Sequence, residues 1–232
     1  MKRLFLLLPL LLLPVLASAQ TSQPKSAEEI LRIVRLSYAL QNHKMSGQLR
    51  DDSTGRTEPL ELTMDNQVMR FRFKNQPPEI VHLDMNTTPA TLYQVKPGGT
   101  TQVTGSQSSQ SVRKMAFNYE DLSLRFLYWP RPQLMGEDRV SAQKCWIVRV
   151  TNPGRDGPYY AVDIWVHQGS GGAAKMMAYD RNSKVVKRYQ VTKVQKVDNA
   201  TVLKELKIET VDPASGAVSG RTYMTMENPE KK

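Results

Sequence analysis

Residues 60–73 read LELTMDNQVMRFRF, and this stretch carries the pattern that decides the fold. Apolar residues occupy every second position on both sides of a tight reversal at Asp65 and Asn66. A period of two places these side chains on one face of a strand and the polar residues on the other. The stretch therefore predicts two half-buried antiparallel strands joined as a hairpin. Its apolar positions are Leu60, Leu62, Met64, Met69, Phe71 and Phe73.

The same alternation extends along most of the chain. Short runs rich in Gly, Pro, Asn, Asp and Ser separate the alternating segments, and such runs are typical of turns. Residues 97–111, which are rich in Gly, Ser, Thr and Gln, predict a mobile loop or a poorly packed hairpin. The further predicted strands cover residues 45–50, 80–85, 91–95, 145–151, 159–167, 173–180, 184–197, 201–211 and 220–227.

Two segments have helical spacing instead. Ser26 and Glu29 form the sequence pattern of a capping box. Apolar residues follow at three- and four-residue spacing, which predicts an amphipathic helix of about 15 residues that ends near Asn42. Residues 119–127 predict a second, short helix, which is stopped by Pro130.

Residues 1–19 have the features of a secretory signal peptide: a charged start, a short apolar run and small residues at the end. Cleavage is expected between Ala19 and Gln20. The apolar run is shorter than the roughly 18 to 20 residues that a membrane span needs. We therefore expect export without a membrane anchor, a disordered lead-in over residues 20–25 and a short tail over residues 229–232.

The composition restricts the classes of function that the protein can have. The chain has one Cys, three His and a formal charge of +10. A single thiol cannot form an intramolecular disulfide. So few Cys and His residues do not supply the four ligands of a usual structural zinc site, and no metal or other cofactor is expected. The sequence contains no recognisable nucleic-acid-binding motif, so the excess of Lys and Arg favours other anionic partners.

His82 and Asp84 alternate onto one face of a predicted strand, as a catalytic dyad would require. No nucleophile motif accompanies them. Cys145 lies beside Trp146 in an alternating strand, where a small core residue is expected rather than a reactive thiol. The sequence therefore predicts a protein that is not an enzyme.

Taken together, these elements predict an α+β fold built on a large antiparallel sheet of about 10–11 strands. A strongly twisted sheet of this size curls, so we expect an incomplete half β-barrel. The N-terminal helix and the short central helix are expected to cover its concave face. Because two helices cover such a face only in part, the remainder is expected to be an apolar cavity.

Five segments, taken in order, resemble the LolA-like outer-membrane lipoprotein-sorting family. The likeness covers residues 26–228, which are expected to form a single domain. It implies an incomplete β-barrel whose apolar interior is lidded by helices. The segments are the capped N-terminal helix, the 60–73 hairpin, FNYEDLSLRFLYWP (117–130), AVDIWV (161–166) and YDRNSKVVK (179–187).

The resemblance implies a periplasmic lipoprotein or lipid carrier that sequesters acyl chains without covalent chemistry, for outer-membrane lipoprotein sorting. Its expected partners are an acylated lipoprotein or lipid and a transient membrane-protein donor and acceptor. Neither nucleic acid nor stable membrane insertion is expected, and we expect a monomer. RseB-like relatives sense envelope stress, so the alternative is an envelope sensor or protein-interaction module that uses the same concave surface.

In the carriers an arginine locks the lid to the barrel. Arg50, Arg70 and Arg72 all lie on predicted strands, and no motif distinguishes them. The resemblance therefore assigns this role to none of the three.

Apolar strand positions supply the candidate lining of the cavity. The unbranched Met side chain adapts to acyl chains of varying shape, although each Met is an ordinary core residue in the simpler interpretation. The predicted lipid-binding residues are Met45, Leu49, Leu60, Leu62, Met64, Met69, Phe71, Phe73, Val162, Ile164 and Leu206.

The central helix supplies candidates for a lid or latch, namely Tyr119, Asp121, Leu122, Arg125 and Tyr128. Asp121 and Arg125 are four residues apart in the acid-first order, so they can pair along one face of a helix. This pair is either a latch that opens on loading or a solvated surface ion pair of small energy.

A further set of cations lies on the predicted strands 184–197 and 201–211. They form either a basic face for anionic head groups or a membrane partner, or edge-strand charges that discourage aggregation between sheets. The cations are Lys184, Lys187, Arg188, Lys193, Lys196, Lys204 and Lys207.

Overall fold

Alternating apolar residues fold most of the chain into one antiparallel sheet of thirteen strands. The computed structural model describes residues 26–38, 44–87, 90–154, 157–197 and 200–227. The predicted signal peptide, lead-in and tail lie outside these residues.

The strands follow one another as hairpins, and each pairs antiparallel with its neighbours in the sheet. The first and last strands also pair, so the two halves of the chain meet in the middle of the sheet. The order across the sheet is β6-β5-β4-β3-β2-β1-β13-β12-β11-β10-β9-β8-β7. The strands are β1 (Lys44–Asp51), β2 (Thr57–Asp65), β3 (Val68–Phe73), β4 (Glu79–Asp84), β5 (Thr91–Lys96), β6 (Gly99–Gln102), β7 (Gln133–Val140), β8 (Gln143–Thr151), β9 (Ala161–His167), β10 (Ala173–Tyr179), β11 (Val185–Val197), β12 (Ala200–Val211) and β13 (Val218–Met226).

The sheet is open, with β6 and β7 at its two edges, so the predicted α+β half-barrel is confirmed. It has thirteen strands rather than about 10–11. β6 lies within residues 97–111, which the sequence predicts as a mobile loop or a poorly packed hairpin; it pairs with β5 as a hairpin, and all four of its residues are exposed. β7 is exposed along almost its whole length. Neither edge strand alternates between buried and exposed residues, and periodicity therefore does not reveal them.

The hairpin of residues 60–73 forms as predicted, with Leu60 opposite Phe73 and Leu62 opposite Phe71. Its two-residue loop is Asn66 and Gln67, one position beyond the predicted reversal. The φ angles of these residues are 47° and 61°. Positive φ at both central positions matches the right-handed twist of the strands, which explains this tight connection.

Helix α1 (Ala27–Tyr38) begins at the predicted capping box. The Ser26 amide donates to Glu29 Oε2 at 2.9 Å, and the Glu29 amide donates to Ser26 Oγ at 3.2 Å. The apolar face of α1 is buried against β12 and β8. The predicted helix end near Asn42 lies outside the described residues. None of the described helices is both long and apolar enough to span a bilayer.

Helix α2 (Tyr119–Ser123) is shorter than the predicted helix of residues 119–127. It ends at Leu124, whose φ of 45° lies in the left-handed region, and a 3-10 turn follows over Arg125–Tyr128. Left-handed backbone is uncommon for a residue with a bulky side chain, and apolar spacing gives no sign of it. The predicted single helix is therefore two short ones with a break between them.

Residues 103–130 cross the concave face of the sheet, and we call them the lid. They include α2 and the 3-10 turns Gly105–Ser109, Val112–Lys114 and Arg125–Tyr128. All five residues of α2 are buried. The apolar core thus lies between the sheet on one side and α1 with the lid on the other.

Candidate functional site

The eleven predicted lining residues all lie in the apolar core on the concave side of the sheet. Ten of them are at most 9% exposed, and Leu62 is half-buried. Cross-strand pairing brings them together, since Leu49 faces Met224 on β13 and Met64 faces Met69 on β3. The period of two therefore identified the concave face correctly, whereas the predicted role in lipid binding depends on the space within that face.

A cavity of about 60 Å³ remains between the sheet, α1 and the lid. This is room for only a few water molecules, so α1 and the lid leave little of the expected cavity open. Five of the predicted residues line the cavity: Met45, Leu60, Leu62, Met69 and Phe71. The other six, Leu49, Met64, Phe73, Val162, Ile164 and Leu206, belong to the surrounding core without lining this cavity.

The lid contributes one wall of this cavity through residues 122–128, which we call the apolar end of the lid. Leu122 and Leu127 are buried there, and both face the cavity. Arg35 of α1 holds this end from outside, because its Nε donates to the carbonyl oxygen of Leu127 at 2.8 Å. The Arg35 guanidinium also lies 5.2 Å from the centroid of the Tyr128 ring. Lid and helix α1 thus meet at the rim of the cavity.

A buried ion pair holds the lid next to its apolar end. The Asp121 carboxylate is 2% exposed, and its Oδ2 lies 3.0 Å from Lys187 Nζ on β11. The hydroxyl of Tyr159 donates to Asp121 Oδ1, and that of Tyr189 donates to the same oxygen at 2.5 Å. The Asn118 amide donates to Oδ2 at 2.8 Å. We call Asn118, Asp121, Tyr159, Lys187 and Tyr189 the Asp121 cluster.

Lys187 fastens a second point of the lid as well. Its Nζ donates to the carbonyl oxygen of Ala116 at 3.1 Å and to Thr210 Oγ1 at 2.8 Å. Thr210 Oγ1 donates to the same Ala116 oxygen at 3.1 Å. A buried ammonium is stable only when its donors are satisfied, and here a carboxylate, a carbonyl and a hydroxyl oxygen satisfy them.

The two tyrosines of this cluster remain protonated hydrogen-bond donors. Burial, followed by the negative charge of Asp121, raises the pKa of Tyr159 well above its ordinary value. The same two causes, in the same order, raise the pKa of Tyr189. Both hydroxyl protons therefore stay on the phenols and stabilise the carboxylate that they face.

The predicted pairing of Asp121 with Arg125 is wrong. Arg125 Nε instead lies 2.7 Å from an oxygen of Glu120, a residue that is 1% exposed. The break at Leu124 removes the helical geometry on which a four-residue spacing depends. The interpretation of Asp121 as half of a solvated surface pair is also wrong, because its partner Lys187 lies inside the protein.

Lys187 itself corrects the prediction of a basic outer face, since it is 5% exposed. On β11 its side chain shares a face with Tyr189, while Arg188 points to the other side. The alternation of β11 contained this information, because a Lys in phase with apolar positions is placed on the concave face. Tyr159 and Tyr189 were missed because a Tyr at an apolar strand position is typical of ordinary core.

Two further anchors join the lid to the first half of the sheet. Tyr119 donates its hydroxyl proton to Glu79 on β4, and Gln94 Nε2 lies 3.2 Å from the same hydroxyl oxygen. Arg113 lies 3.1 Å from Glu58 on β2 and donates to the carbonyl oxygen of Asn75 at 2.8 Å. The predicted latch residue Tyr119 therefore does contact the barrel.

The three arginines considered for the lid lock have other contacts. Arg50 stacks over the Tyr223 ring at 4.7 Å, and Arg70 Nε donates to His82 Nε2 at 2.8 Å. Arg72 is exposed on β3. Lys187 on β11 and Arg113 in the lid each form an ion pair that joins the lid to the sheet.

The residues considered for catalysis have the following contacts. His82 accepts its hydrogen bond from Arg70, while Asp84 accepts from the Asn86 amide. Burial raises the pKa of the Cys145 thiol, which makes it a poorer nucleophile. No group of three or more potential metal ligands occurs within the part of the chain that the structure describes.

Comparison with solved structures places the fold. A LolA superfamily protein from Nitrosomonas europaea superimposes with a TM-score of 0.70 and 13% identity, over 90% of this chain and 94% of that chain. A domain from Vibrio parahaemolyticus, described as an outer-membrane lipoprotein-sorting protein domain, superimposes with a TM-score of 0.69 and 12% identity, over 88% of this chain and 91% of that chain. A DUF1329 family protein from Desulfovibrio piger gives 0.63 and 14%, over 88% and 91%. The descriptions of these three proteins mention no catalytic activity.

Sequence comparison covers a large part of the chain. No curated protein matches the sequence. A family model described as "Uncharacterized protein"-like matches residues 91–232, which is more than half of the chain. The chain therefore belongs to the family that this model describes, and its fold is that of the LolA-like lipoprotein-sorting proteins.

Proposed function

We propose that the protein is a periplasmic carrier that binds the acyl chain of a lipid or lipoprotein beneath the apolar end of its lid. One observation carries this proposal: an apolar cavity in a LolA-like half-barrel has a short lid segment as one wall. The predicted signal peptide supports the location. Sequestration needs no covalent step, and no catalytic residue is assigned.

The cavity must enlarge before a chain can enter. Four of its lining residues are Met45, Met69, Met224 and Met226, whose unbranched side chains change shape at low cost. Outward movement of Leu122 and Leu127 would widen the opening of the cavity. Each methylene that enters then gains about 0.8 kcal/mol, which can offset the free energy needed to separate the lid from the sheet.

The polar contacts of this segment are few enough to break. Two described hydrogen bonds join residues 127 and 128 to their surroundings. Arg35 Nε donates to the Leu127 carbonyl oxygen, and the Tyr128 hydroxyl donates to Met85 Sδ at 2.9 Å. A neutral hydrogen bond contributes about 1 kcal/mol, and one that involves a charged group contributes about 1.5–3 kcal/mol. Opening this end is therefore inexpensive in comparison with exposing the Asp121 cluster.

Two measurements test the proposal. Native mass spectrometry of gently purified protein should detect co-purified acylated material, and a fluorescent fatty acid should bind to the stripped protein in proportion to its concentration. Clean apo spectra together with no uptake of the fatty acid would contradict the carrier function. A stoichiometric polypeptide without any acyl group would favour the sensor or interaction module instead.

A cavity-filling variant locates the binding site. Met224→Trp places a bulky ring at a half-buried lining position, and we expect fatty-acid affinity to fall roughly tenfold, the equivalent of about two buried methylenes. Met177→Trp is the matched control, since Met177 is equally half-buried but faces the convex side of β10. Equal affinities in both variants would place the ligand elsewhere.

A further inference from the structure

The convex face of the sheet carries a concentration of cations on its central strands. Side chains in register across five strands point away from the lid there: Arg50 on β1, Tyr223 on β13, Lys207 on β12, Gln190 on β11 and Lys175 on β10. None of these five described residues is acidic. With neighbouring strands about 4.8 Å apart, the row extends over roughly 20 Å.

The adjacent row adds two more cations, Arg188 on β11 and Arg221 on β13. Both lie beside Glu209, which is opposite each of them in the register. We call Arg50, Lys175, Arg188, Lys207 and Arg221 the basic patch. Its five cations belong to five neighbouring elements of one continuous surface.

The carboxylates within this surface are outnumbered. Glu209 lies 2.9 Å from Arg221 Nε and 3.4 Å from Lys207 Nζ, and Asp52 lies 2.9 Å from Arg221 Nη1 and 3.5 Å from Arg50 Nη1. Two carboxylates are therefore shared among three cations. Two further carboxylates lie near the patch: Glu205, 3.0 Å from Lys193 Nζ, and Asp138, which accepts a hydrogen bond from Nε1 of the Trp165 ring beneath Lys175. With Lys193 included, six cations therefore face four carboxylates.

Protection of a sheet edge does not account for these charges. β11 and β12 lie inside the sheet, where both neighbours already satisfy their backbone hydrogen bonds, and the edges are β6 and β7. The edge-strand interpretation of this hairpin is therefore wrong. Lys175 takes part in none of the ion pairs among the described residues, and its ammonium lies 4.3 Å from the centroid of the Trp165 ring.

We infer that the basic patch binds the surface of a bilayer that contains anionic phospholipid. Cations spread over an open convex face can contact many head groups at once, whereas a single small anion would need them to converge. Each Lys or Arg held near an anionic bilayer strengthens binding about fivefold. Tyr223, half-buried under Arg50, has the amphipathic ring that suits the head-group region.

The lid lies on the opposite face of the sheet from the patch. A protein docked through its convex side would thus keep the apolar end of the lid free. Surface binding does not require an occupied cavity, so this inference and the carrier function can fail separately.

Co-sedimentation with vesicles tests the inference on the full mature chain. We expect binding to vesicles of phosphatidylglycerol and phosphatidylcholine in equal parts, and none to phosphatidylcholine alone. Raising the salt from about 0.1 M to about 1 M shortens the Debye length from about 10 Å to about 3 Å and should release the protein. Equal binding to both kinds of vesicle would overturn the inference.

Variants of equal charge separate the patch from net charge. The triple variant Lys175→Gln, Arg188→Gln and Lys207→Gln should lower the partition coefficient about a hundredfold, since three cations are lost. The control triple is Lys96→Gln, Lys114→Gln and Lys144→Gln, whose three side chains are exposed in other parts of the surface. It should bind nearly as the parent does, and equal losses in both triples would overturn the inference.

Two further readouts keep the result interpretable. The patch variant should retain its thermal unfolding midpoint and its fatty-acid uptake, because the substituted side chains lie outside the core and away from the cavity. Loss of vesicle binding with retained uptake supports the inference. Retention of the parent protein on dextran sulfate without vesicle binding would assign the patch to a soluble polyanion and overturn it.

Discussion

At Asp121 the lid is held by a buried charge, whereas over residues 122–128 it is held by apolar contact. The Asp121 carboxylate has four described partners in fixed directions. The side chains of Leu122 and Leu127 make non-directional contacts with the cavity wall, and Arg35 adds one hydrogen bond to the Leu127 carbonyl oxygen. A directional buried ion pair has no substitute once it is broken, but apolar contacts can be replaced by those of a hydrocarbon guest. We therefore expect the lid to stay attached to the sheet at Asp121 and to move away from it over residues 122–128.

Removal of the charge of Asp121 is expected to have the largest effect and tests the difference between the two parts of the lid. Asp121→Asn leaves the Lys187 ammonium buried without its carboxylate, and we expect the free energy of unfolding to fall by about 3–5 kcal/mol. Urea denaturation measures it. Lys187→Met in the same chain should recover part of the loss, because the orphaned charge is then gone.

A convex ion pair serves as the control for this experiment. Asp163 pairs with Arg149 at 2.6 Å, and the Arg149 side chain is 36% exposed. Asp163→Asn should cost clearly less, since solvent reaches the remaining cation. Equal losses at Asp121 and Asp163 would mean that the buried cluster is not a special anchor.

The apolar end should behave differently under truncation. Leu127→Ala removes a side chain that is 2% exposed, and we expect a loss of about 3 kcal/mol from burial and the enlarged cavity. A ligand that binds only the folded protein should restore part of this stability, and the gain should grow with the logarithm of its concentration once that exceeds the dissociation constant. The measurement is the unfolding midpoint with and without fatty acid. Restoration of Asp121→Asn by the same ligand, to the same extent, would remove the distinction between the two ends.

The smallest expected effect is a dependence on alkaline pH. In the unfolded chain a tyrosine ionises near its ordinary pKa of about 10, whereas the folded protein raises the pKa of Tyr189 well above its ordinary value. Stability is therefore fully present below about pH 10 and falls as the pH rises further, since the unfolded chain loses its proton first. Tyr189→Phe should reduce this slope by roughly one proton, at a cost of about 2 kcal/mol at neutral pH.

Tyr160→Phe is the matched control for the loss at neutral pH, because Tyr160 lies beside Tyr159 in sequence but is 44% exposed. It should lower the free energy of unfolding at neutral pH by clearly less than Tyr189→Phe does, since the Tyr160 side chain is already exposed to solvent. Urea denaturation at neutral pH and at several pH values around 10 measures both the loss and the slope. Equal losses in the two variants, or an unchanged slope in Tyr189→Phe, would contradict the description of the buried cluster.

The predicted parts of the fold are those with a local physical cause. Leu60, Leu62, Phe71 and Phe73 alternate because one face of their hairpin is buried, and the register confirms it. The edge strand β7 lacks that cause, since both of its faces are exposed, and it was missed. The predicted central helix failed at Leu124, where packing of the lid imposes a left-handed backbone.

The candidate site, like the fold, has features that the sequence predicts and features that it does not. The concave position of the eleven lining residues follows from alternation alone. That only five of them reach the cavity depends on where α1 and the lid come to rest. The partner of Asp121 was sought four residues away, and it lies on β11 instead.

The sequence by itself determined the alternating strands, most of their turns, the curled sheet and the identity of its apolar face. These properties arise between residues that are near in the chain or that repeat with a fixed period. Tertiary structure alone decided that β1 pairs with β13, that Lys187 is buried against Asp121, and that the cavity holds only about 60 Å³. The physical reason is that contacts between distant segments, and the space left between them, depend on how complete side chains fit together.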